Sequence, residues 1–315
     1  MIKFGAITID TSHPLGFAQA LYENPRGKYT AVYNDGFRGE DEVKDFSERF
    51  GLKICRSVRE LAEAVDIGMI HACNWDRHLS YIEPFAELGK PVFIDKPIVG
   101  SMADCRRLRE LEKNGVRIIG TSSLRYCDEV MNVKNTLRER NSRALHIDVS
   151  VGCAEFNYAI HAVEEICAIA DSKPISAKYI GTAHSDVEHC DSYMIFFENG
   201  TTACYHNYGK KFCLFNTIVL TTEPGSKNDF CFSVDNSKLY ASMLERICDY
   251  LEGKESGLAT VDEMIDSVKV ALACKASREN GGIEVSLSSD MLEGTTYDGY
   301  SFEARYAASA KKMYL

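Results

Sequence analysis

Residues 5 to 21 read GAITIDTSHPLGFAQAL. An apolar run, a short polar turn and then apolar residues at helical spacing predict a first β-strand passing into a first α-helix. That is how a nucleotide-binding α/β fold begins. The turn normally carries glycines, which allow a tight bend, close approach to a pyrophosphate and close packing of the helix. Here Thr8, Asp10 and His13 stand in those places. The stretch is therefore either a dinucleotide site in unusual letters or a fold without one.

Outward from it the same alternation continues to about residue 122. Strand-like KYTAVYND, KICRS, IGMIHAC, PVFID and VRIIGTS are separated by helix-like segments. These are DEVKDFSERFG (ended by Gly51), VRELAEAV, HLSYIEPFAELG and SMADCRRLRELEKNG, the last capped by Ser101 and closed by Gly115. Strands joined through helices by short links predict a mostly parallel, doubly wound sheet, a Rossmann domain over residues 1–122. Beyond residue 122, ALHIDVSVG, SAKYIGTAHS, DSYMIFFENG, TTACYHNYG and NTIVLTTEPG follow one another without helices between most of them, with Asn199-Gly200 at a hairpin tip. DEVMNVKNTLRER, AEFNYAIHAVEEICAIA, SKLYASMLERICDYLEG and TVDEMIDSVKVALACKASRENG read as helices, before a tail ending FEARYAASAKKMYL. Residues 123–315 are expected to form an α+β domain with a largely antiparallel sheet.

Composition narrows the function. The chain has 315 residues and a formal charge of −10, which argues against a general nucleic-acid binder. No apolar run approaches the roughly 20 residues that span a bilayer, and the first ten residues lack the pattern of a signal peptide. A soluble, cytoplasmic protein is expected. The 12 cysteines include no C-x-x-C pair and sit mostly in apolar runs, so they read as reduced core residues. His184, Asp186, Glu188, His189 and Asp191 crowd one segment, but strand alternation splits them between faces, and no metal is expected.

The chemistry gathers at VFIDKPIVGS. Lys96 follows a buried strand at the sheet's carboxyl edge, and Pro97 holds it in extended geometry. A lysine fixed in a cleft can move a proton to or from a substrate oxygen once burial lowers its pKa. The alternative is a solvated lysine opening a loop.

The segment HACNWDRHLSYIEPFAELGKPVFIDKPIVGS resembles the core of the Gfo/Idh/MocA oxidoreductases, the glucose–fructose oxidoreductase and inositol dehydrogenase family. It carries His78, Gly89-Lys90-Pro91-Val92 and Asp95-Lys96-Pro97, with aspartate for the family's usual glutamate. The order of features resembles that family along nearly the whole chain. The resemblance implies NAD as cofactor, with NADP possible through Arg38. It also implies a sugar, polyol, inositol or similar polar substrate between the domains, and a homodimer or homotetramer paired through the second sheet. It assigns catalysis to Lys96 and, in EFNYAIHAVEEI, to His161, with Asn157 standing where the family carries aspartate and Glu164 where it often carries another acid. An amide orients a hydroxyl but shares no proton. Residues four apart on a helix share a face, so Asn157 and His161 can meet Lys96.

For the cofactor, the resemblance points to Asp10, Thr11, Ser12, His13, Asp35, Asn74, His78 and Lys96. A carboxylate about 4 Å from a phosphate charge costs about 4 kcal/mol at an effective dielectric of 20, a cost Asp10 can escape by turning onto backbone amides. Thr11 and Ser12 offer hydroxyls, Pro14 suits a first helical turn, and free N–H groups there suit an anion. Asp35 suits an adenosine ribose. Arg125 and Tyr126 either touch substrate or seam the two domains. Two alternatives to an ordinary dehydrogenase stay open. One is an enzyme that keeps NAD for transient oxidation during elimination or epimerisation. The other is a non-catalytic sugar or nucleotide sensor on the same fold.

Overall fold

The computed structural model describes all residues except 23, 154, 187, 210–214, 224, 226–228 and 312–315. Ala154 and Pro224, at the ends of expected elements, and the last four residues of the tail therefore lie outside the described residues.

The first region alternates as read: β1 (Ile2–Ile7), α1 (His13–Tyr22), β2 (Gly27–Tyr33), α2 (Glu40–Phe50), β3 (Lys53–Ile54), α3 (Val58–Ala64), β4 (Ile67–Ile70), α4 (Glu83–Glu87), β5 (Val92–Asp95), α5 (Met102–Lys113) and β6 (Ile118–Thr121). Its six strands are all parallel, in the order β3-β2-β1-β4-β5-β6. Every residue of β4, β5 and β6 is buried, as a sheet covered on both faces requires. Gly5 lets α3 sit directly on β1, since a Cβ there would lie 2.9 Å from Leu61. The single helix expected over HLSYIEPFAELG is instead two pieces, a 3-10 stretch Trp75–Tyr81 and α4, with Pro84 in the first turn of α4. Proline has no N–H to continue the earlier turn, and its fixed φ suits a new start.

The second region comprises α6 (Asp128–Glu139), β7 (Ala144–Val151), α7 (Glu155–Ala170), β8 (Pro174–His184), β9 (His189–Phe197), β10 (Thr202–Asn207), β11 (Asn216–Thr221), β12 (Phe230–Ser233), α8 (Ala241–Leu251), α9 (Val261–Glu279), β13 (Val285–Ser286) and α10 (Gly299–Ser309). The strands form one sheet, β12-β11-β7-β10-β9-β8-β13, antiparallel throughout except where β7 meets β10. Along β11 exposed and buried residues alternate, so one face is free and the other lies in the core with α7 and α9.

Three features exceed the sequence reading. The short strands β12 and β13 extend the sheet at its edges. Helix α8 returns to the first region, where Met243, Leu244 and Ile247 join Phe4, Phe17 and Leu21 in one core cluster. The tail forms a helix, α10, started by Asp298, whose side chain accepts from Ser301 N. The described cysteines are all free thiols, most of them buried. No helix among the described residues is long and apolar enough to cross a membrane.

Candidate active site

In an open parallel sheet, ligands bind beyond the carboxyl ends of the strands where the strand order reverses. Here that point lies between β1 and β4, the two strands whose connections leave in opposite directions. Two groups of residues meet along this edge.

The first group gathers where β5 and β6 face α7. Lys96, 7% exposed, follows the last residue of β5, and its Nζ donates to the Asn157 carbonyl oxygen at 2.9 Å, with Asn157 Oδ1 at 3.4 Å. Burial lowers the Lys96 ammonium to about 8, so it exchanges a proton near neutral pH. His161, one turn beyond Asn157, points its Nδ1 at Ser122 Oγ, 2.6 Å away. Burial, with the Lys96 and His13 charges close by, holds His161 well below the usual imidazole range. It stays neutral. Asn157 and His161 therefore do share a helix face with Lys96.

Asp95, immediately before Lys96, organises two more imidazoles. One carboxylate oxygen meets His13 Nδ1 at 2.7 Å and His71 Nδ1 at 2.9 Å, and His71 Nε2 meets the Tyr29 hydroxyl at 2.7 Å. Burial alone would raise Asp95, but the His13 and His71 contacts hold it well below the usual carboxylate range. An ionised Asp95 makes each Nδ1 the donor. Tyr29, His71 and Asp95, all buried, thus form one chain with the half-buried His13, whose ring lies 6.2 Å from that of His161. Burial also lowers His13, helped by Lys96 and opposed by Asp95. The sequence reading placed His13 with the cofactor turn; its side chain instead joins the acid–base group, reaching across from the first turn of α1. Nothing in the linear spacing of His13, His71 and Asp95 announces that meeting.

The second group lies at the ends of β1, β2 and β4. Thr8 occupies the first glycine's place in left-handed backbone, φ 61°, and its buried hydroxyl has no hydrogen-bond partner. Asp10 is fully buried, and its two oxygens accept from Phe37 N at 3.1 Å and Cys73 N at 3.2 Å. The carboxylate ties the end of β1 to the ends of both neighbouring strands, as expected of an acid that turns onto amides. Gly36 makes this possible, because a Cβ there would come within 1.9 Å of Asp10 Oδ1. Burial raises the Asp10 carboxyl, and Glu303 raises it further against the pull of those amides. Asp35 is taken up by Arg77 Nη2 at 2.6 Å and Tyr81 Oη at 2.8 Å. Asn74 caps the Trp75–Tyr81 turn through Asp76 N and donates to Glu303 Oε2 at 3.0 Å. Arg38, the residue that left room for NADP, donates to the Asp10 carbonyl and Glu42.

Four expected site residues sit elsewhere. His78 is wholly buried, with both ring nitrogens against backbone carbonyls of Ile98 and Ala72, so it braces two loops and shows nothing to the cleft. Glu164 pairs with Arg125 at 2.6 Å and accepts from Thr121 Oγ1, while Tyr126 Oη receives Ala259 N. These three are expended on the seam between the two regions. A buried ion pair needs its own partners satisfied; Arg125 and Tyr126 also border a groove along α6 and α8. His184, Asp186, Glu188, His189 and Asp191 fall at the end of β8, in the turn and at the start of β9; His189 and Asp191 come to 3.9 Å. The set that does converge among the described residues is Asp10, Cys73 and Glu303, within 4.8 Å of one another.

A cavity of about 410 Å³ opens beside Asn157, walled by Trp75, Phe156, Tyr297, Phe302 and Arg305. A larger groove, about 720 Å³, borders α6 and α8 but includes none of Lys96, Asn157 or His161. Lys96 and His161 line neither space, and of the walls just named for the smaller one Tyr297, Phe302 and Arg305 come from α10 and the residues just before it.

Residues 15–122 match the model of an oxidoreductase family, GFO_IDH_MocA, described as an NAD-binding Rossmann fold. The match runs from the first helix of the parallel-sheet region to its last strand. The inositol 2-dehydrogenase of Gluconacetobacter diazotrophicus is 31% identical over 87 residues, which cover 27% of this chain and only 26% of that enzyme. Among solved structures, a putative myo-inositol dehydrogenase from Sinorhizobium meliloti superposes with a TM-score of 0.74 at 16% identity, over 91% of this chain and all of the other. The scyllo-inositol dehydrogenase of Lactobacillus casei, solved with NAD(H) and scyllo-inositol, gives 0.74 at 14% identity over 92% and 100%. A UDP-N-acetylglucosamine 3-dehydrogenase from Acidithiobacillus ferrooxidans gives 0.71 at 12%, over 88% and 97%. At such identities the structural likeness establishes a common fold for nearly the whole chain, Rossmann region and mixed-sheet region together.

The walls of the switch-point crevice fit a dinucleotide. Asp10 has turned onto amides, Thr8 keeps a spare hydroxyl, and Asp35 stands at the end of β2. What fills the space between them is the chain's own α10, whose Glu303 reaches Asn74.

Proposed function

We propose that this protein is an NAD(P)-dependent oxidoreductase acting at a CH–OH carbon of a sugar, polyol, inositol or related polar molecule. One observation carries the reading. A lysine lowered to about 8, Lys96, and a neutral histidine, His161, lie close enough for the lysine's charge to act on the imidazole, at the carboxyl edge of a parallel sheet that matches an NAD-binding family. The domain boundary falls at residue 122, after the last parallel strand, with residues 123–315 carrying the substrate side.

Lys96 handles the substrate proton. Its neutral form takes a proton from the alcohol, and its ammonium form returns one to a carbonyl. The Asn157 carbonyl oxygen that it now contacts is the place a substrate hydroxyl would take. Asn157 orients a hydroxyl through its amide, and His161, held uncharged, does the same by hydrogen bonding rather than by carrying charge. Asp95 and His13 sit behind Lys96, and the carboxylate opposes the fall in its pKa. When bound, the nicotinamide supplies or accepts the hydride. Asp35 would hold the adenosine ribose, with Thr11, Ser12 and the first turn of α1 at the diphosphate and Asn74 between the two halves. NAD is favoured over NADP because an acid at Asp35 repels a 2′-phosphate. The exposed face of the second sheet, with Ile218 and Leu220 on β11, suits pairing of two copies.

The test is to offer the purified protein a panel of inositols, polyols and sugars with NAD and follow reduced nicotinamide by absorbance. Turnover of at least one substrate is expected. No turnover by a protein that binds the dinucleotide would replace this reading with the sensor alternative.

A further inference from the structure

Resting on the NAD reading above, we infer that α10 and the strap before it are an intramolecular plug, seated in the dinucleotide crevice and displaced when the dinucleotide binds.

The seat is specific. The strap crosses the carboxyl edge of the sheet, where Tyr297 N donates to the Gly100 carbonyl and Trp75 Nε1 donates to the Tyr297 carbonyl at 2.8 Å. Helix α10 then begins on Asp76, which accepts from Gly299 N at 2.9 Å. A Cβ at Gly299 would come within 2.3 Å of Asn74 Oδ1, so the helix starts in close contact with the loop after β4. Further along, Phe302 lies over Trp75, ring centres 5.1 Å apart, and Tyr306 meets Phe37 after β2 at 5.9 Å. Arg38 holds the Lys311 carbonyl at 2.8 Å. The helix therefore runs from the end of β4 to the end of β2, across the switch point. Between those ends Glu303 presents a carboxylate to Asn74 and stands among Asp10 and Cys73. An anion occupies the place that a diphosphate takes in this architecture.

The seat is also shallow. Of the eleven residues of α10 only Gly299 is buried, whereas α7 is buried continuously from Ala159 to Ala170. Contact rests on partly buried rings, a few hydrogen bonds and Arg77, 3.9 Å from Glu303. Against these, the Glu303 carboxylate lies close enough to Asp10 to disfavour ionisation of Asp10. Elements with few buried apolar contacts are those that open locally at low cost. A ligand that binds only the open form loses apparent affinity in proportion to the closed fraction. Loosening the helix should restore it.

The experiment compares the full chain with a Phe302→Ala/Tyr306→Ala variant, using NADH as the probe. Calorimetry gives the affinity, and hydrogen exchange gives the protection of amides 299–309, with α7 and α9 as an internal control for an intact fold. The expected result is at least about tenfold tighter NADH binding in the variant, the amount gained when a closed fraction near 90% is released. Loss of α10 protection in the full chain on adding NADH is expected as well. NADH binding that leaves α10 protected, or equal affinity in both proteins, overturns the plug and leaves the NAD reading standing. No binding of NADH or NADPH to a variant whose α10 exchanges freely overturns both. If the variant loses α7 and α9 protection, Tyr306→Ala alone carries the comparison, with the same outcomes.

Discussion

The two ends of the sheet edge differ in how their charges are kept. At the β5 end every ionisable group has an opposite or neutral partner: Asp95 meets two imidazoles, and Lys96 lies on a carbonyl. At the β1–β4 end two carboxyls face one another across a crevice that part of the same chain fills. The first arrangement is preorganised for proton transfer, because its groups are already desolvated and oriented. The second is held by compromise. Asp10 has become a structural staple, and the anion-binding geometry beside it is covered by a carboxylate from α10. Catalytic groups need rigidity, while a cofactor groove must open.

Substitutions can break or sharpen that contrast, and they rank by expected effect. Removing Arg125 leaves Glu164 charged and buried without its partner, so Arg125→Ala should cost about 3–5 kcal/mol in unfolding free energy, read by denaturant titration. If it changes substrate KM and leaves stability alone, Arg125 belongs to the cleft after all. Lys96→Met should lower turnover at least about 100-fold, close to 3 kcal/mol in barrier, with the fold unchanged by circular dichroism. Asp10→Ala strands the amides of Phe37 and Cys73, and should cost about 1–3 kcal/mol in stability; a gain in stability would show that the carboxylate is not a staple. Asp35→Ala, which breaks a partly exposed pair with Arg77, should cost at most about 1 kcal/mol in stability. It should weaken NADH more than NADPH.

Acidity separates the two ends further. Asp95 is depressed in the folded state, so its contribution to stability is fully present above its unfolded value of 3.8 and is lost as pH falls through the folded value. Lys96 is lowered to about 8, so alcohol oxidation should rise with pH up to about 8 and then level, since it needs the neutral amine. A pH–rate profile that is flat from 6 to 9 would remove Lys96 from the proton step.

Much of this was legible in the sequence, and the reasons for the rest are local. The parallel strands show because they are short apolar runs between turn residues, and Lys96 shows because Asp-Lys-Pro at a strand end resembles the family's triplet. Asn157 and His161 come from the family resemblance, and helical spacing puts them on one face. The turn of Asp10 onto amides was readable from the cost of the alternative. His13 meeting Asp95 was not, because it joins residues 82 positions apart. Arg125 and Glu164 look like site residues in a linear reading, since buried charges serve seams and clefts in the same letters. The tail's helix had a signal, Asp298 as a cap before a run rich in alanine, but its docking depends on surfaces formed by three strand ends.

The chain's single tryptophan, Trp75, lies at the crevice itself, bonded to the strap and in tilted ring contact with Phe302. Titrating the full chain with NADH while exciting Trp75 therefore asks most directly whether this crevice takes a dinucleotide. Saturable quenching of the tryptophan with matching sensitised nicotinamide emission, abolished by excess NAD, is the expected result. A titration that leaves Trp75 emission unchanged up to millimolar NADH would contradict it.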